Sequence, residues 1–146
     1  MIDTRELYQQ IILDHNRNPR NFREIETATC HAEGNNPLCG DVITVYLAVV
    51  DNTVSDVSFQ GAGCAISTAS ASLMTEAIRG RNKQEAVAVL RQFEDLVTTG
   101  IEMPDAEGLE IFAGVRDFPS RIKCATLAWH TLGAALEGTT ETVSTE

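Results

Sequence analysis

The sequence predicts an α+β fold, in which a three-stranded antiparallel sheet is packed against about five helices, most of them on one face. Period-two alternation of apolar residues is confined to residues 25–59, whereas the 3.6-residue period of amphipathic helices is found before and after that range. The chain has 146 residues, 43% of them hydrophobic, which suits one hydrophobic core. We therefore predict a single domain over residues 1–146.

The first predicted elements are a helix and a strand. Asp3 and Glu6 have the spacing of a capping box, and apolar residues recur at three-to-four spacing until Pro19 ends the helix. Residues 25–33 alternate between β-branched and small side chains, which is typical of a strand. The Gly-Asn-Asn-Pro segment at 34–37 predicts a turn after it.

A hairpin is predicted next. Residues 42–50 have apolar side chains at alternate positions, and residues 54–59 form the returning strand. Asp51 and Asn52 tolerate positive φ and suit the two-residue turn between these strands. The alternation slips within residues 54–57, which indicates a β-bulge.

Four more helices are predicted after the hairpin, from apolar residues at helical spacing between start and stop signals. They run from Gly63 to Gly80, from Asn82 (a capping box with Glu85) to Gly100, over 107–116, and from Pro119 and Ser120 to Gly138, with residues 139–146 as a frayed polar tail.

The charge of the chain excludes several classes of partner. Lys and Arg number 11 against 21 Asp and Glu, a net charge of −10, which argues against nucleic-acid binding and binding to a membrane surface.

No apolar stretch approaches the roughly 18–20 residues that span a bilayer, and the first residues lack a signal-peptide pattern, so we expect a cytoplasmic protein. The basic-free acidic segment at 94–110 is interpreted as solvated surface, with docking of a basic partner as the alternative.

Four cysteines, at positions 30, 39, 64 and 124, point to metal or thiol chemistry in a reducing compartment. Cys39 lies in a predicted turn, Cys64 at the start of the second helix, and Cys124 in the first turn of the last helix. Helix N-termini and the neighbouring Arg121 and Lys123 favour the thiolate form of Cys124.

Asp41 follows Cys39 by two residues and adds a carboxylate to the three thiols. Cys39, Asp41, Cys64 and Cys124 together offer the four ligands of a tetrahedral zinc ion. The sequence has no C-x-x-C pair, so the spacing leaves two interpretations open: one shared metal site, or three separately buried small side chains.

The remaining candidates are interpreted as structural. Cys30 alternates with alanines on a strand and is predicted to be a buried inert thiol. We expect a half-buried, hydrogen-bonded imidazole at His15, a surface residue at His31, no functional role for His130, and core positions for Phe112 and Trp129.

Three segments together resemble the U-type iron-sulfur cluster assembly proteins, the family of IscU, SufU and the N-terminal domain of NifU. They are Gly34-Asn35-Asn36-Pro37-Leu38-Cys39-Gly40-Asp41, then Phe59-Gln60-Gly61-Ala62-Gly63-Cys64-Ala65-Ile66-Ser67 followed by Ala69-Ser70, and Cys124 at the start of the last helix. The resemblance extends from Leu7 to about Leu136.

Within that family the sequence is most similar to the SufU type. Lys123 stands where the Isc type usually has His before its third cysteine, and Phe118-Pro119-Ser120-Arg121 replaces its Leu-Pro-Pro-Val-Lys motif. The interval between Cys64 and Cys124 holds the extra helix that distinguishes SufU from the shorter Isc type.

The resemblance implies that Cys39, Asp41, Cys64 and Cys124 hold zinc, and that Cys39 receives persulfide sulfur from a SufS-type cysteine desulfurase for downstream cluster assembly proteins. It also implies a supporting role for Arg121 near the site. On this hypothesis the protein is a sulfurtransferase. Two alternatives remain: a scaffold that holds iron or a [2Fe-2S] cluster on the same residues and has no enzymatic activity, and a protein in which zinc is only structural.

Overall fold

The computed structural model describes residues 4–37, 39–99, 109, 112, 115, 118–138 and 143–144. Within these residues the chain forms four helices and four strands. Their order is α1 (Thr4–Arg17), β1 (Cys30–Asn36), β2 (Asp41–Val50), β3 (Thr53–Ala62), α2 (Ala65–Ile78), α3 (Lys83–Thr99), α4 (Pro119–Glu137) and β4 (Val143–Ser144).

The predicted three-stranded antiparallel sheet is confirmed. β2 is the central partner and pairs antiparallel with β1 on one side and with β3 on the other. β4 adds two residues, parallel to β1, on the outer edge of the sheet. Val143 and Ser144 therefore extend the sheet within the segment that the sequence predicted as a frayed tail, since their backbone pairs with Gly34 and Asn35.

The β2–β3 hairpin agrees with its prediction in detail. Asp51 and Asn52 have φ values of 51° and 66°, as a two-residue turn with positive φ requires. Ala48 pairs with Asp56 and Val49 pairs with Val54, so Ser55 is the extra residue of a bulge. This turn and bulge set the register in which β3 pairs with β2.

Helices cover one face of the sheet. The inner side chains of β2 are buried (Ile43, Val45 and Leu47), and α2 and α4 pack over them and their neighbours on β1 and β3. α1 packs on α2, and α3 packs on α4. Phe93 of α3 stacks on Trp129 of α4 with ring centroids 4.5 Å apart, so the aromatic core lies between these helices, as predicted for Trp129.

The first strand differs from its prediction. It begins at Cys30 rather than residue 25, and it continues through the residues 34–36 that were predicted as a turn. A Cβ at Gly34 would lie only 2.1 Å from Thr131 Oγ1 of α4. Gly34 therefore serves close packing of the strand against α4, a tertiary requirement that looks like a turn signal in the sequence.

The helix stop and start signals are confirmed where the structure describes them. Gly80 and Gly138, with φ of 86° and 76°, follow the ends of α2 and α4. Asn82 and Glu85 exchange backbone-to-side-chain hydrogen bonds of 2.8 and 3.0 Å at the start of α3.

The predicted helix over 107–116 lies mainly outside the described residues. Its described members, Leu109, Phe112 and Val115, are buried in the core. The acidic segment 94–110 is likewise described only in part, at 94–99 and 109. Among the described helices, none combines the length and apolarity needed to cross a membrane.

Candidate metal centre

The candidate centre lies at one end of the sheet, where three connections meet. Cys39 is in the turn between β1 and β2, and Asp41 is the first residue of β2. Cys64 caps the start of α2, directly after β3. Cys124 is on α4, which packs on β1 and β2. The antiparallel order of β1, β2 and β3 thus brings residues that are distant in the sequence to the same end of the sheet.

The turn that carries Cys39 is held by Asn36. The carbonyl oxygen of Asn36 accepts the backbone N–H groups of Cys39 and Gly40 at 3.2 and 2.9 Å. Gly40 has φ of 73°, a conformation that glycine adopts without steric cost. The Cys39 side chain is exposed as a result.

Three of the four predicted ligands converge. One ligand atom each from Cys39, Asp41 and Cys124 lies within 4.8 Å of the others, and the two sulfur atoms are 3.3 Å apart. In a tetrahedral zinc site with Zn–S of about 2.3 Å, two sulfurs are about 3.8 Å apart. Two thiols and a carboxylate at this spacing therefore fit a zinc ion after a small adjustment.

Cys64 lies beside this triad. Its backbone N–H donates to Asp41 Oδ1 at 2.8 Å, and its Sγ accepts the Ser67 N–H at 3.4 Å as the N-cap of α2. The Cys64 thiol also contributes to raising the pKa of Cys124. The fourth predicted ligand thus lies next to the triad but is not part of it, since its sulfur accepts the Ser67 N–H at the start of α2.

The environment of Cys124 contradicts the expectation of a stabilised thiolate. Burial raises the pKa of the Cys124 thiol well above its ordinary value, and hydrogen bonds with Cys39 and Cys64 raise it further. Cys124 is the sixth residue of α4, which begins at Pro119, so it lies past the first turn, where the helix dipole acts. The protein alone therefore favours the neutral thiol.

Two residues of the centre were not singled out from the sequence. The first is Asn36, which is fully buried and whose Nδ2 donates to Asp41 Oδ2 at 3.3 Å and to Cys124 Sγ at 3.6 Å. It occurs in the quoted motif, but an Asn before a proline also suits a turn.

The second is Gly63, where a Cβ would lie 2.7 Å from Asp41 Oδ1. Only a residue without a side chain lets the backbone before α2 approach the carboxylate this closely. The Gly-Ala-Gly segment was its only sequence signal.

Arg121 is exposed in the first turn of α4, one turn before Cys124. Within the described part of the chain its guanidinium has no hydrogen bond or ion pair, so its implied supporting role stays a prediction.

The other singled-out residues lie away from the centre. Cys30 is half-buried against the core at the opposite end of β1. His15 is buried against Ser72, His31 is exposed and stacks on Tyr46, and His130 is 3.0 Å from Glu94. The structural interpretations of His15 and His31 are confirmed.

Comparison with known proteins adds a family match and named relatives. The model of the NifU-like N terminal domain matches residues 7–143. The Streptococcus pyogenes serotype M1 protein named iron-sulfur cluster assembly scaffold protein IscU is 40% identical over 134 residues, covering 90% of this chain and 83% of the relative. The Bacillus subtilis protein named zinc-dependent sulfurtransferase SufU is 41% identical over 131 residues, covering 86% of each chain.

A solved structure shares the fold. It is a candidate iron-sulfur cluster assembly scaffold protein for the SUF system from Fervidobacterium islandicum AW-1, with a TM-score of 0.82 and 36% identity. The match covers 92% of this chain and 99% of that one.

Proposed function

This chain belongs to the NifU-like N-terminal domain family, and we propose that it is an iron-sulfur cluster assembly protein that accepts persulfide sulfur at a zinc centre. The observation that supports this most directly is the convergence of Cys39, Asp41 and Cys124, in which Cys39 is exposed and Cys124 is buried. A centre with one accessible sulfur suits a reaction with a partner's side chain.

The donor set supports zinc as the resident ion. Cys39, Asp41 and Cys124 would hold it, with Cys64 as the fourth ligand once its sulfur turns from the Ser67 N–H. Bound zinc would supply a positive charge that keeps the thiols deprotonated without redox chemistry. This meets the need created by burial, which disfavours the Cys124 thiolate in the protein alone.

Cys39 is the proposed sulfur acceptor. Its thiolate attacks the outer sulfur of a persulfide on the catalytic cysteine of a desulfurase of the SufS type. The new S–S bond forms on Cys39 as the old S–S bond breaks, and the desulfurase cysteine leaves as a thiolate. Charge and oxidation level balance, so no further reductant is required.

Arg121 is proposed to assist this encounter. It is exposed one turn before Cys124 on α4, and it adds positive charge next to a centre rich in thiols and a carboxylate. A guanidinium there can orient the incoming anionic persulfide. The sulfur would then pass to downstream cluster assembly proteins.

The test is native mass spectrometry of the anaerobically purified protein, before and after incubation with a SufS-type desulfurase, pyridoxal phosphate and cysteine. We expect one zinc ion in the starting protein and one added sulfur atom on Cys39 afterwards. Desulfurase turnover should rise when the protein is added. Cys39→Ala should abolish both effects.

The matched control is Cys30→Ala, because Cys30 is a half-buried thiol at the far end of β1. This variant should accept sulfur as the unmodified protein does. Sulfur mapped to another cysteine, or desulfurase turnover unchanged by the protein, would contradict the proposal.

The second candidate function is a scaffold for a [2Fe-2S] cluster. It is favoured by the S. pyogenes relative, since the identity to it is 40% and that to the zinc-dependent B. subtilis relative is 41%. Thiolates and a carboxylate also bind iron, so the donor set fits both. If adding iron in the same experiment replaces zinc with a cluster, the scaffold function is correct.

A further inference from the structure

We propose that Asn36 is a positioning residue of the metal centre, which holds the Asp41 carboxylate and the Cys124 sulfur in place for the ion. The inference rests on the proposed zinc centre and adds a residue that binds no metal itself. Its basis is the position of one buried side-chain amide between two ligands from different elements.

The carboxamide of Asn36 has the right chemistry for this position. Its NH₂ group has two hydrogens, and it faces two acceptors, Asp41 Oδ2 at 3.3 Å and Cys124 Sγ at 3.6 Å. The reverse amide orientation would place a carbonyl oxygen against a carboxylate and a sulfur, which is repulsive. Asn36 is fully buried, so water does not compete for these hydrogens.

The Asp41 carboxylate is held at both oxygens. Oδ2 accepts from Asn36, and Oδ1 accepts from the backbone N–H of Cys64 at 2.8 Å. Outer hydrogen bonds of this kind fix the orientation of a ligating carboxylate before the metal arrives. Asn36 thus links the start of β2 to α4.

Asn36 also distinguishes the two sulfurs of the triad. Its side chain donates to the buried Cys124, while its backbone carbonyl shapes the turn that presents Cys39 to solvent. A hydrogen bond to a thiolate lowers its electron density. This interaction keeps Cys124 as a fixed ligand and leaves Cys39 as the sulfur that reacts.

The neighbouring asparagine provides a matched control. Successive side chains of a strand point to opposite faces, so Asn36 faces the helices, whereas Asn35 is half-buried and lies on the other face of β1. Both are asparagines in the same strand, but the hydrogen bonds to Asp41 and Cys124 described above are made by Asn36.

The experiment compares Asn36→Ala, Asn36→Leu and Asn35→Ala with the unmodified protein. Leu has nearly the shape of Asn without its N–H groups, so this variant keeps the volume of the buried side chain. Zinc affinity is measured by competition with a chromophoric chelator, and the cobalt(II)-loaded proteins are compared by absorption spectroscopy. Denaturant unfolding of the zinc-free proteins gives their stability.

We expect both Asn36 variants to lose about 10–100-fold in zinc affinity, and Asn35→Ala to lose none. The cobalt ligand-field bands should change in the Asn36 variants, because Asp41 would no longer be held in one orientation. Unchanged affinity and spectra would overturn the inference. So would an affinity loss that merely follows the fall in zinc-free stability.

The outcomes separate this inference from the proposed function. If the unmodified protein binds neither zinc nor cobalt(II), the proposed zinc centre is wrong and Asn36 has no ligand to position. If it binds zinc but accepts no sulfur, the sulfur-acceptor function is wrong, and the role of Asn36 is still decided by the affinities.

Discussion

Two buried polar clusters lie along α2, and they differ in how their hydrogen-bonding groups are matched. The docking cluster joins α1 and the segment after it to the middle of α2. There, Ser72 Oγ is 2.7 Å from His15 Nδ1 and accepts the Arg20 backbone N–H at 2.8 Å. Asn21 donates to Thr75 Oγ1 at 2.9 Å, and Thr75 donates to the Ser72 carbonyl at 2.7 Å. Donors and acceptors satisfy one another within the protein.

The metal centre at the start of α2 has a different balance. The carboxylate of Asp41 and the sulfurs of Cys39 and Cys124 converge there, with the Cys64 sulfur beside them. The donors that face these groups include the Asn36 amide and the backbone N–H groups of Cys64 and Ser67. Acceptor groups that can bind a cation are therefore in excess, and the proposed zinc ion would balance them. The two clusters thus differ in role: the balanced cluster holds elements together, whereas the excess of acceptor groups at the start of α2 is what the proposed metal site requires.

The largest expected effect comes from removing the carboxylate of the metal centre. Asp41→Ala should lower zinc affinity by at least about 100-fold, since it removes a ligand where outer-shell changes already cost 10–100-fold. Chelator competition measures the loss. Asp56→Ala, which removes a half-buried carboxylate of β3 that pairs with Arg23 and Arg79, should keep full affinity. Equal losses in both variants would show that the metal binds elsewhere.

Removing zinc should lower stability without unfolding the chain. If zinc is present at 100 to 1,000 times its dissociation constant, it adds about 2.7–4.1 kcal/mol to the folded state. The core is formed by the inner face of the sheet and by α2, α3 and α4, and its packing does not require the ion. Far-UV circular dichroism should be unchanged after chelation, while the melting temperature falls. A loss of helical signal would instead support a structural zinc.

Disrupting the docking cluster should affect stability alone. Ser72→Ala leaves the buried His15 and the Arg20 N–H without their partner, which costs about 1–3 kcal/mol. Ser72 is eight residues beyond Cys64, or about 12 Å along the helix, so zinc affinity should not change. The control Ser55→Ala, at the exposed bulge, should lie within about 0.5 kcal/mol of the unmodified protein. A zinc-affinity loss in Ser72→Ala would mean that the two clusters are coupled.

The smallest effect is a pH dependence at His15. Burial lowers the pKa of His15 from its ordinary value of 6.5, so the unfolded chain takes up this proton at a higher pH than the folded protein does. Stability of the zinc-free protein should therefore fall as the pH decreases through 6.5 and level off below the folded pKa. Urea unfolding at about pH 7.5 and 5.5 measures this change in stability. Both pH values lie above the range in which carboxylates titrate. His15→Gln should reduce the difference in stability between the two pH values. A difference as large as that of the unmodified protein would show that another group is responsible.

The sequence predicted best where a few neighbouring residues determine the structure. The turn at Asp51 and Asn52 and the capping box of Asn82 and Glu85 depend on local φ values and local hydrogen bonds, and both are present. The resemblance to U-type proteins also indicated the cysteines and the aspartate that the structure brings together.

Prediction from the sequence failed where contacts between distant elements determine the structure. The extent of β1 depends on Gly34 meeting Thr131, and neither residue reveals this alone. The protonation preference of Cys124 depends on burial by the rest of the fold, which outweighs the nearby helix end and basic residues. Asn36 was missed because its partners are five and 88 positions away.

The contact of Gly34 with Thr131 lies on the same helix as Cys124 but far from the candidate metal centre. Thr131 lies seven residues beyond Cys124, about 10.5 Å along the helix. A methyl group at position 34 would lie 2.1 Å from Thr131 Oγ1, so either the Thr131 side chain or α4 as a whole must move, and a movement of α4 would displace Cys124. The size of residue 34 would thus change the position of Cys124 relative to the other ligands, and with it the metal that the centre prefers. Every ligand, and every hydrogen-bonding partner of the ligands, would keep its chemistry.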